Sequence, residues 1–72
     1  MSLPTSTSDV LSKIRGFYSS LSSSEKKVAN FILEHHQKTI RMTLAEVAQE
    51  SRVSDATVLR FVRSIGYKRW LD

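Results

Sequence analysis

The stretch LAEVAQESRVSDATVLRFVR, residues 44–63, decides the fold. Leu44, Val47 and Ala48 recur at helical steps and predict a short helix over 44–51. Thr43 and Glu46 have the spacing of a capping box, in which hydroxyl and carboxylate each accept from the other residue's backbone N–H. A second helix is expected over 55–65, with Val58, Phe61, Val62 and Ile65 on its inner side. Ser54 caps its start, and Asp55 in its first turn suits the positive end of the helix dipole. Only a tight turn fits between the two helices. Val47 and Val53 are expected to pack on Val58 and Phe61, and Ala48 to sit where the helices cross, since a larger side chain there would hold them apart. Arg52 occupies a turn position where the backbone is often left-handed, at about 1 kcal/mol for a residue other than glycine.

Val47, Ala48, Val53, Val58 and Phe61 thus form the core of a helix-turn-helix whose second helix projects from the surface. A helix of that width fits the major groove of B-DNA. Asp55, Ala56, Thr57, Arg60, Arg63 and Ser64 are expected on its outer face. Of these, Asp55, Ala56, Thr57 and Arg60 are the candidates for reading bases. Arg60 can grip guanine O6 and N7 with both arms, Thr57 can hydrogen-bond or touch a thymine methyl, and Ala56 can touch a thymine methyl. Candidates for holding phosphates are Thr43, Arg52, Ser54, Arg63, Ser64, Lys68 and Arg69.

Outward from this stretch, the chain has 72 residues, enough for one small domain with a thin core. It has no cysteine, and no Cys/His cluster is spaced for zinc, so stability must come from packed helices, caps or a partner subunit. Residues 1–8 are rich in Ser and Thr and carry the single proline, which predicts a disordered tail ahead of a domain over 9–72. A first helix is expected over 9–20, capped by Ser8 or Asp9, with Val10, Leu11, Ile14, Phe17, Tyr18 and Leu21 in one apolar stripe. Ser22 and Glu25 form another capping box before a helix over 23–36, lined inside by Val28, Ala29, Phe31, Ile32 and His35 or His36. Ile40 and Met42 are expected to plug the core edge. Gly66 can take the left-handed conformation that ends the helix after Ile65, and residues 67–72 read as the opening of a further helix. The fold class is all-α, a small bundle of four to five helices.

The net charge is +4, and it is uneven. Within residues 52–69, Arg52, Arg60, Arg63, Lys68 and Arg69 stand against Asp55 alone. Such a patch attracts polyanions, with double-stranded DNA the first candidate. The alternative is a helical interaction domain whose basic face binds an acidic protein. No apolar run approaches the ~20 residues of a membrane span, and the N-terminal residues do not resemble a secretory signal, so no membrane role and a cytoplasmic location are expected. His35 and His36 point about 100° apart on a helix and make a poor metal pair, so no metal or cofactor is expected in this domain. The aromatic residues have the helical spacing of core positions rather than of a stacking platform for single strands, and Trp70 is expected to pack on another subunit or domain. No nucleophile elbow, phosphate loop or carboxylate pair is present, so the domain is not read as an enzyme.

The segments VLSKIRGFYSSL, SSSEKKVANFILEH and LAEVAQESRVSDATVLRFVRSIGYKRWLD resemble the N-terminal domain of RpiR-type bacterial regulators. The resemblance covers about residues 9–72. Ser22, Glu25, Ala29 and Ile32 match one helix of that family. Val53, Ser54, Ala56, Thr57, Val58, Arg60 and Phe61 match its most specific run, and Ile65, Gly66 and Tyr67 match its ending. The resemblance implies a homodimeric regulator of carbohydrate catabolism that continues into a sugar isomerase domain, where a phosphosugar effector is sensed. This chain carries no part of such a sensor.

Overall fold

The computed structural model describes residues 7–67. α1 (Thr7–Phe17) runs into a 3-10 turn (Tyr18–Ser20), followed by α2 (Ser23–Glu34), α3 (His36–Thr39), α4 (Leu44–Ser51) and α5 (Asp55–Ser64). The architecture is all-α, with no strand among the described residues.

Both capping boxes form. Ser22 Oγ accepts from the Glu25 N–H at 3.2 Å while Glu25 Oε1 accepts from the Ser22 N–H at 3.0 Å. At the start of α4, Thr43 Oγ1 accepts from the Glu46 N–H at 3.1 Å and Glu46 Oε1 from the Thr43 N–H at 2.8 Å. Each box satisfies backbone donors that a helix start otherwise leaves open. Glu25 is buried, and this reciprocal bonding is what makes its burial tolerable.

The core joins Val10 and Ile14 of α1, Leu21, Val28, Ala29 and Ile32 of the α2 region, Val47 and Ala48 of α4, and Val58, Phe61 and Val62 of α5, with Ile65 behind it. α2 packs against both α4 and α5, and α1 lies on α2. This three-way packing fixes α5 from its inner side alone.

Several expectations change. Ser8 and Asp9 fall within α1 (Thr7–Phe17). Phe17 leaves the apolar stripe and is 45% exposed, because the chain tightens into the 3-10 turn immediately after it. The helix expected over 23–36 breaks at His35, whose φ of −132° and ψ of 41° are not helical, and α3 restarts in a new register. Thr39 is therefore buried, its Oγ1 donating to the His35 carbonyl at 2.9 Å, while Ile40 is 43% exposed. Met42 is buried as expected. His35 is exposed, its ring 5.1 Å from that of the partly buried Phe31, and His36 is partly buried. Residues 68–72, with Lys68, Arg69 and Trp70, lie outside the described residues.

Candidate nucleic-acid interface

The interface is built on the turn between α4 and α5. α4 ends with Arg52 in the left-handed region, at φ 62° and ψ 44°. The Val53 N–H donates to the Ala48 carbonyl at 2.9 Å and the Arg52 N–H to the Gln49 carbonyl at 3.2 Å. This pair of bonds is a Schellman motif, which ends the helix and swings the chain into the next within three residues, 52–54. The left-handed position expected at Arg52 is present. Val47, Ala48, Val58 and Phe61 are buried and Val53 is partly buried against them, which locks α4 to α5. Ser54 caps α5, its Oγ accepting from the Thr57 N–H at 3.2 Å. Gly66, at φ 103°, ends the helix through a second Schellman pair, Gly66 N–H to Arg63 carbonyl at 3.1 Å and Tyr67 N–H to Val62 carbonyl at 2.9 Å.

α5 thus has one locked face and one open face. Asp55, Ala56, Arg60, Arg63 and Ser64 are exposed, as are Arg52 and Ser54 in the turn before it and Thr43 at the start of α4. Among the described residues, none of Arg52, Arg60 and Arg63 is in an ion pair. Their charge is therefore uncompensated at short range and open to an anionic partner.

Thr57 was expected on the outer face, but it is only 5% exposed. The reason is helical geometry: residue 57 stands four before Phe61 and one before Val58, so it falls in line with the inner stripe. Its hydroxyl lies between two neighbours. Ser54 Oγ is 3.0 Å away, and Arg60 Nη2 donates to Thr57 Oγ1 at 3.3 Å. The four-residue step to Phe61 pointed inward, but nothing in the spacing revealed the Ser54–Thr57–Arg60 chain of bonds.

Among the described residues, no group of three or more His, Cys, Asp or Glu gathers in a metal-like cluster, and no helix is long and apolar enough to cross a membrane.

The fold and the open basic helix define a helix-turn-helix domain of the kind carried by transcriptional regulators. Family comparison agrees, because the "Helix-turn-helix domain, rpiR family" matches residues 8–72. The chain belongs to the RpiR family of helix-turn-helix domains. It is 43% identical to an uncharacterized HTH-type transcriptional regulator of Haemophilus influenzae over 60 residues, covering 83% of this chain and 21% of that protein. It is 40% identical to the HTH-type transcriptional regulator HexR of Pseudomonas aeruginosa, covering 81% of this chain and 20% of that protein. A match at 36% identity to the bifunctional protein glk of Paraburkholderia xenovorans covers 85% of this chain and 10% of that protein. The chain thus spans about a fifth or less of the length of these relatives. No solved structure gives a significant match.

Proposed function

We propose that the domain binds double-stranded DNA sequence-specifically, with α5 in the major groove, as the operator-reading part of a transcriptional regulator. The observation that carries this is the division of α5 into a buried face, Val58, Phe61 and Val62, and an open face, Asp55, Ala56, Arg60, Arg63 and Ser64. A helix held rigidly from behind can enter a groove without rearranging.

Arg60 reads a guanine through O6 and N7, with Ala56 and Asp55 at the N-terminal end of the helix beside the bases. Thr43, Arg52, Ser54, Arg63 and Ser64, with Lys68 and Arg69 beyond the described residues, hold the flanking phosphates. The domain acts by binding, not by catalysis, and needs no cofactor. The regulator as a whole is a homodimer controlling carbohydrate metabolism, with a phosphosugar effector acting through a further domain; family resemblance supports this part.

The test is salt-dependent retention on random-sequence duplex. Binding at ~50 mM salt, with log affinity falling by ~0.9 per phosphate held for each unit of log salt, is the expected result. Absence of retention at that salt contradicts DNA binding and favours an acidic protein partner.

A further inference from the structure

Thr57 is the one residue with a polar side chain among the buried residues of α5. It sits at 5% residue exposure, 3.0 Å from Ser54 Oγ and 3.3 Å from Arg60 Nη2. We infer that Thr57 is a positioning residue: it clamps the Arg60 side chain in the orientation that reads the base, and so sets specificity without touching DNA. This deepens the DNA-binding proposal and rests on it.

The chemistry is consistent at each atom. A guanidinium only donates, so Thr57 Oγ1 must accept from Arg60. One lone pair is used in that bond. The oxygen can still donate to Ser54 Oγ or accept from the Ser54 hydroxyl, and either arrangement leaves Ser54 Oγ able to accept from the Thr57 N–H as the cap requires. The cap of α5 and the orientation of Arg60 are therefore one connected unit. Arg60 spends one of five N–H donors on this bond, and two of the remaining four suffice for a bidentate grip on guanine. A free arginine has many rotamers, and fixing it on binding lowers affinity; holding it beforehand removes part of that penalty at one base pair only. Arg63, exposed and one turn on, has no such clamp among the described residues.

The test compares Thr57→Val, which keeps the shape and loses the hydroxyl, with Thr57→Ser, which keeps the hydroxyl. Each is measured in the 72-residue chain on the selected DNA site and on its single-base variants. Thr57→Val is expected to lower discrimination roughly tenfold at the base pair that Arg60→Ala affects, and to leave affinity for random duplex unchanged. Thr57→Ser is expected to keep most of that discrimination, and Thr57→Val combined with Arg60→Ala to lose no more than Arg60→Ala alone. Full discrimination in Thr57→Val, equal loss on all sequences, or loss at a different base pair from Arg60→Ala overturns the clamp. A measurement on the unaltered chain without DNA stands beside these, and does not depend on a variant folding. The Nε–Hε order parameter of Arg60 should exceed that of Arg63; equal mobility overturns the clamp. A wild-type chain that enriches no sequence overturns the specificity role together with the DNA-binding proposal, whereas a selective wild type beside an unaffected Thr57→Val overturns the clamp alone.

Discussion

Under the proposed function Arg60 and Arg52 have different roles, base reading and phosphate holding, and single substitutions separate them. Arg60→Ala should weaken binding to the selected site by about 1–3 kcal/mol and flatten preference at one base pair, read by anisotropy titrations on singly altered duplexes. Arg63→Ala should weaken all sequences alike and reduce the salt slope by about 0.9. Arg52 stands at φ 62°, so Arg52→Gly should raise folding stability by about 0.5–1 kcal/mol in urea titration while lowering DNA affinity through a lost phosphate contact. Opposite signs in the two measurements would show that the residue strains the turn and serves the interface at once. The strain at Arg52 was legible, because a turn this short leaves the chain few ways to reverse. The burial of Thr57 was legible only in part: its four-residue step to Phe61 pointed inward, while a hydroxyl beside Arg60 suggested the outer face.

Among the helices, the ends decide more than the middles. Thr43→Ala removes the hydroxyl that caps α4 and should cost about 1 kcal/mol of stability by chemical denaturation. Because α4 buries Val47 and Ala48 against α5, a frayed α4 start should lower the melting temperature of the whole domain rather than unfold one helix. Spacing alone revealed both boxes, since reciprocal bonding demands a hydroxyl and a carboxylate three residues apart. The break between α2 and α3 left no such mark. Residues 34–39, EHHQKT, contain no glycine or proline, and helix propensity favours continuing. The chain turns at His35 because packing overrides propensity there, burying Thr39 and Met42 against the core and leaving Ile40 outside.

For the molecule as a whole, a thin core supports one projecting helix. Phe61 is fully buried at the centre of the contact between α5 and the rest, and Phe61→Ala should cost about 3–5 kcal/mol, a large share of what so small a domain possesses. The described residues span 27 × 24 × 22 Å, small enough for two copies to sit side by side on half-sites about 34–36 Å apart, one turn of DNA. Charge asymmetry and helix periodicity pointed to a helical domain with a basic patch; neither could specify a partner, because any polyanion meets the same patch at low salt. Enrichment of bound sequences from a random duplex pool decides whether the open face of α5 reads bases. A recurring short motif, whose preference at one guanine vanishes in Arg60→Ala, is the result predicted. A pool that stays random through successive rounds, or a motif that Arg60→Ala leaves intact, contradicts it.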